Sequence, residues 1–106
     1  MSDLAPRYLV ALDANEASFH MSAVFAELSH GTRQYDGFPY GTKLTMTYIT
    51  INLVFDVNFD VWVMYVYHVV DKKKYRFASG HLFQVRDYFI NEVLPLIHEG
   101  DLSDPN

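Results

Sequence analysis

Five histidines, His20, His30, His68, His81 and His98, are the first candidates for chemistry in this chain. No two of them fall four apart on one helix, so the paired-imidazole pattern of a helical zinc site is absent. Glu16 and His20 do share a helical face at that spacing. No third ligand accompanies them, and a solvated ion pair is the ordinary outcome. His68 stands out because it lies inside a β-rich run among apolar residues. A buried imidazole there could serve as a general base near neutral pH. Tyr48, Thr50 and Asn52 could orient a small ligand beside it if strand register brings them together. The competing reading is a histidine on the partner-facing side of the sheet, or one satisfied by a backbone carbonyl.

Cysteine is absent, which removes thiol catalysis, disulfide frameworks and thiolate zinc sites. The chain carries no glycine-rich phosphate loop, no nucleophile elbow and no paired catalytic carboxylates at a recognisable spacing. No metal and no cofactor is therefore expected. Lys72, Lys73, Lys74 and Arg76 interleave with Tyr75 and Phe77, a mixture that can stack bases and hold phosphates. The same mixture on an edge strand defends against edge-to-edge aggregation. With 13 acidic and 8 basic residues and a formal charge of −5, the whole opposes phosphate approach. Nucleic acid is accordingly not the expected partner.

These residues must be held by few elements. At 106 residues the chain has room for one domain, residues 1–106, with residues 99–106 as a polar and mobile tail. Arg7 to Leu12 reads as a short strand. Asp13 and Glu16 have the spacing of a capping box, and Ala17, Met21, Val24, Phe25 and Leu28 form the stripe of an amphipathic helix closed near Gly31. Gly31 to Gly41 is an irregular loop carrying Tyr35, Phe38 and Tyr40. Lys43 to Val70 then reads as one long hairpin, broken only between Asp56 and Asp60. Tyr75 to Ala78 returns as an edge strand. Ser79 caps a last helix over residues 80–98, which Pro95 should kink near Val93.

The order is β-α-β-β-β-α, an α+β domain with an antiparallel sheet built on the long hairpin and two helices on one face. A ferredoxin-like βαββαβ layout without its last strand is the nearest standard topology. On the first hairpin strand Thr45, Thr47, Ile49, Ile51, Leu53, Phe55 and Val57 share a face suited to the helices, and Leu44, Met46, Tyr48, Thr50, Asn52, Val54 and Asp56 share the other. On the second strand, Val61, Val63, Tyr65, Tyr67 and Val69 alternate with Trp62, Met64, Val66, His68 and Val70, and periodicity alone leaves open which set faces out. Either way, the sheet's second face is too apolar for free solvent and reads as an interaction surface.

The expected function is that of a small acidic non-enzymatic interaction module of the adaptor or inhibitor type. Immunity and counter-defence proteins have this size and this lack of motifs. It would act as a homodimer or on another protein through Tyr48, Trp62, Met64, Tyr65 and Tyr67, with the loop aromatics Tyr35, Phe38 and Tyr40. The alternative is a small-ligand binder or cofactor-free enzyme with a pocket around His68, Tyr48 and Asn52. The apolar run is interrupted at Asn52, Asp56, Asn58 and Asp60, short of the ~20 residues of a spanning helix, and the N-terminus lacks a secretory pattern. A cytoplasmic protein, of a cell or an infected host, is the expectation.

Overall fold

A computed structural model describes residues 7–30, 34–35, 38–39 and 41–103, with nothing of the side chains at 34–35 and 38–39. Strand β1 (Arg7–Val10) leads into helix α1 (Ala14–Leu28). Asp13 caps that helix, its Oδ1 accepting the Glu16 N–H at 2.9 Å, while Glu16 Oε2 accepts the Leu12 N–H at 2.9 Å. One orphan donor of the helix, the Glu16 N–H, and the Leu12 N–H just ahead of the cap are thus satisfied by the chain's own carboxylates. Ala17, Met21, Val24, Phe25 and Leu28 are all buried, so the stripe legible in the sequence is the face that packs. The expected Gly31 cap lies outside the described residues.

Two short strands, β2 (Gln34–Tyr35) and β3 (Phe38–Pro39), pair with each other within the loop segment. The main sheet follows: β4 (Gly41–Thr45), β5 (Ile49–Asp56), β6 (Val61–His68) and β7 (Lys74–Ser79). Its order is β1-β4-β5-β6-β7. The β4–β7 meander is antiparallel, but β1 runs parallel to β4, so the sheet is mixed and not purely antiparallel. The reason is the α1 crossover, which returns the chain in the direction it left. Because β1 and β4 are hydrogen-bonded neighbours, no strand is inserted between them, and the ferredoxin-like expectation fails at that point.

A second correction concerns the long hairpin. The segment from Lys43 to Asp56 is two strands, separated by a turn at Met46–Tyr48 in which the Met46 N–H donates to the Ile49 carbonyl at 2.8 Å. The turn changes the parity of the alternation. Leu44 and Ile51, on opposite faces of an unbroken strand, are directly paired here and both buried.

The C-terminal helical run has three parts: α2 (Leu82–Tyr88), a π turn (Phe89–Val93) and α3 (Leu94–Glu99). The π turn, with the Leu94 N–H bonded to the Phe89 carbonyl, sits immediately before Pro95. There a regular α-helix would drive the proline ring into the Asn91 carbonyl, and the wider turn absorbs that conflict. His81 occupies the N-cap position of α2, and Ser79 belongs to β7, with its Oγ accepting the His81 N–H at 3.1 Å.

Both helical units cover one face of the sheet. Phe25 of α1 meets Phe89 of the π turn with ring centroids 6.3 Å apart. Beneath them lie Leu44, Ile51, Leu53, Phe55, Trp62, Met64 and Val66. Leu102 is buried in the same cluster, and Asp101 pairs with Lys73 at 3.4 Å. The described part of the expected mobile tail is therefore anchored: one apolar side chain at 102 secures it. No helix among the described residues is long and apolar enough to cross a membrane.

Candidate functional site

Register decides which side chains share the uncovered face. In β6, Trp62, Met64, Val66 and His68 pair with Phe55, Leu53, Ile51 and Ile49 and lie on the helix-covered side. Trp62 and Met64 are thus core residues and not the surface anchors expected of them. Their sequence neighbours face the other way. Two rows cross the open part of this face, which is closed at the next row, where Val63, paired with Val54 and Ala78, is only 1% exposed. One runs Tyr8, Lys43, Asn52, Tyr65, Arg76, and the next runs Val10, Thr45, Thr50, Tyr67, Lys74. Residues directly opposite on adjacent strands stand side by side about 5 Å apart, so each row is a continuous line of contacts.

Tyr8 is 81% and Tyr65 43% exposed. The Arg76 guanidinium lies 5.8 Å from the Tyr65 ring centre, and the Lys74 ammonium 5.7 Å from that of Tyr67. Such cation–ring contacts on a surface hold two otherwise floppy side chains in place at about 0.5–1 kcal/mol each. Gly41 leaves a shallow depression of about 260 Å³ bordered by Tyr8, Lys43, Asn52 and Val54. Within these two rows there is no acid, and Asp56 stands at the far end of the face, beside the β5–β6 turn. In a chain with a formal charge of −5, a tyrosine-rich sheet face bearing Lys43, Lys74 and Arg76 is a marked segregation of charge.

The pocket expected around His68, Tyr48 and Asn52 is split by the sheet. Asn52 pairs with Tyr65 on the open face, whereas His68 is 1% exposed on the other. Tyr48 does accompany His68, the two rings stacking at 6.5 Å with a 15° interplanar angle. The His68 Nδ1 accepts the Asp71 N–H at 3.0 Å, which places the ring proton on Nε2, aimed at the Ser103 carbonyl 3.4 Å away. The Asp71 carboxylate lies 3.8 Å from Nδ1. Both ring nitrogens face the chain's own groups, so the imidazole offers no position for a substrate proton. It acts as an internal brace.

The loop aromatics Tyr35, Phe38 and Tyr40 lie outside what is described of the side chains. Among the described residues no three His, Asp or Glu side chains gather as a metal site. Glu16, half of the pair considered with His20, spends an oxygen on the Leu12 N–H. Sequence reasoning missed Tyr8, Lys43 and Arg76 as members of one surface. The interleaving of Arg76 and Lys74 with Tyr75 and Phe77 was the available signal, since alternate residues of a strand must face apart.

Comparisons with protein families, with curated proteins and with solved structures find no match to this chain. The site's own chemistry therefore carries the functional reading.

Proposed function

We propose that this chain is a non-enzymatic binding protein of the adaptor or inhibitor type that works through the open face of its sheet. The observation that supports this is the row Tyr8, Lys43, Asn52, Tyr65, Arg76, solvent-facing and free of acids. Tyrosine and arginine are the side chains that most often anchor protein interfaces, because they combine large contact area with directional hydrogen bonding. Val54, half-buried, adds apolar surface beside the row. The complementary partner is a protein presenting an acidic patch.

A second copy on the same face would set Lys43, Lys74 and Arg76 against their own equivalents. Like charges brought together across an interface cost several kcal/mol, which favours a different protein over a homodimer here. An acidic chain offering three cations on a face is also a poor match for the many phosphates of a nucleic acid.

The test is site-specific photo-cross-linking in native extract, with a photoreactive phenylalanine at position 65 and, separately, at the helix-side position Phe83. The expected result is a cross-link to an acidic protein from position 65, lost in the Arg76→Glu background and absent from position 83. Cross-links of equal yield from both positions, or a product containing only this chain, would overturn the proposal.

A further inference from the structure

Strand β7 ends the sheet, and among the described residues it has a neighbouring strand on one side only. One bond fixes which of its backbone groups face the free edge. The His68 N–H donates to the Lys73 carbonyl at 2.9 Å, one step beyond the Tyr67–Lys74 pair. Hydrogen-bonded pairs alternate along an antiparallel ladder, so Val66–Tyr75 and Met64–Phe77 are bonded pairs as well. The N–H and C=O groups of Lys74, Arg76 and Ala78 therefore point away from β6. A row of such groups is a template for one more strand.

The two sides of that edge differ in chemistry. On the open face stand Lys74 and Arg76, both exposed, each over a tyrosine ring. Neither pairs with a carboxylate among the described residues. On the helix side Tyr75 and Phe77, half-buried, border a groove of about 390 Å³ with Tyr88, Val93 and Leu96. Phe77 and Tyr88 stack there at 4.6 Å, which holds the groove wall in shape. The exposed Glu92 adds one carboxylate to the same groove.

An added strand must match this division. Its residues opposite Lys74 and Arg76 share their face at about 5 Å, and the alternate residues lie over the groove. The two cations call for acids in the first set. The aromatic groove calls for apolar side chains in the second, and Glu92 repels an acid placed there. A second copy of β7 is a poor occupant, since pairing about Arg76 sets that guanidinium against its own equivalent. Cations on an edge bar a like strand but admit an oppositely charged one. We infer that the β7 edge takes up an extended segment of the partner protein as a further strand, with acidic residues at alternate positions and apolar residues between them. This rests on the open-face reading for the nature of the partner and adds the form in which its acidic groups arrive.

The test titrates capped hexapeptides into the full ¹⁵N-labelled chain. One alternates Glu and Val, and one alternates Lys and Val. Two further versions of the first carry N-methyl groups on either the Glu or the Val residues. The expected result is saturable binding of the Glu–Val peptide, with shifts and slowed hydrogen exchange at the Lys74, Arg76 and Ala78 amides. A strand turns alternate N–H groups toward its neighbour, so one N-methylated version should lose binding and the other keep it. Arg76→Glu should weaken the Glu–Val peptide about tenfold and admit the Lys–Val peptide. No binding of the Glu–Val peptide, equal effects of the two N-methylations, or equal binding of the Lys–Val peptide to the wild type would overturn the inference. A failed titration beside an intact cross-link from position 65 removes the added strand and leaves the open-face reading, whereas a bound peptide without that cross-link keeps the edge site and removes the reading.

Discussion

Met64 and Tyr65 are consecutive in β6, and their opposite exposures make a sharp test of which sheet face is open. Met64 is 0% exposed, paired with Leu53 on one side and Phe77 on the other. Truncating it to alanine removes buried atoms and leaves a cavity, which costs about 2–5 kcal/mol in well-packed cores. Tyr65 is 43% exposed and has the Arg76 guanidinium over its ring. Its truncation loses a surface cation–ring contact and part of an apolar contact, about 1 kcal/mol in all. In urea, with a slope near 2 kcal/mol/M for a chain of this size, about 3 kcal/mol for Met64→Ala moves the midpoint by ~1.5 M and Tyr65→Ala by ~0.5 M. Both variants should stay folded in buffer, since small domains have about 5–15 kcal/mol in hand. Partner cross-linking from a photoreactive phenylalanine at position 67, in the neighbouring row of the same face, should show the reverse order, with Tyr65→Ala abolishing it and Met64→Ala retaining it. Equal midpoint shifts, or a larger one for Tyr65→Ala, would refute the face assignment and the functional proposal with it.

Gly100→Ala should be costly, because an added Cβ would lie 2.8 Å from the Leu96 Cα, a backbone atom with no freedom to withdraw. A loss of about 1–3 kcal/mol is expected in thermal or urea unfolding, against little change for Gly80→Ala, whose Cβ would lie no closer than 3.7 Å to the Asp60 carbonyl. The Tyr88 phenol, stacked on Phe77 at 4.6 Å, is pushed above its ordinary value chiefly by burial, with Glu92 and Tyr75 adding to the shift. An acid whose folded value is raised contributes stability in full below the unfolded value of about 10, and this contribution is lost as pH rises through the folded value. Phenolate absorbance of the wild type minus that of Tyr88→Phe should therefore rise at higher pH than free tyrosine, and a midpoint at or below free tyrosine would disprove the burial argument.

Helices were the most legible part of this chain. Asp13 and Glu16, three residues apart, mark the start of α1, and Ala17, Met21, Val24, Phe25 and Leu28 mark its buried face, because both signals are local. Pro95 likewise announced the irregularity of the last helical run, whose packed face holds Val85, Phe89, Val93 and Ile97. The Met46–Tyr48 turn was not legible. It contains no glycine, proline, asparagine or aspartate, and its residue types suit a strand equally well. The Met46 N–H to Ile49 bond closes it, and the Val69 N–H, from the far end of β6, fastens Tyr48 beside it.

By itself, the amino-acid sequence determined that Lys43 to Val70 is rich in β-strand, that amphipathic helical faces need covering, and that β6 divides into two alternating sets. Local propensity and periodicity are enough for each of these. Only the tertiary structure decided that Trp62, Met64 and His68 go inward while Tyr65 and Tyr67 go outward. The same register aligned Tyr8, Lys43, Asn52 and Arg76 with Tyr65, and set His68 behind Tyr48 and Ser103. A strand's side chains repeat every two residues, so a shift of one exchanges its faces, and the choice between them is made by pairing partners far away in the chain.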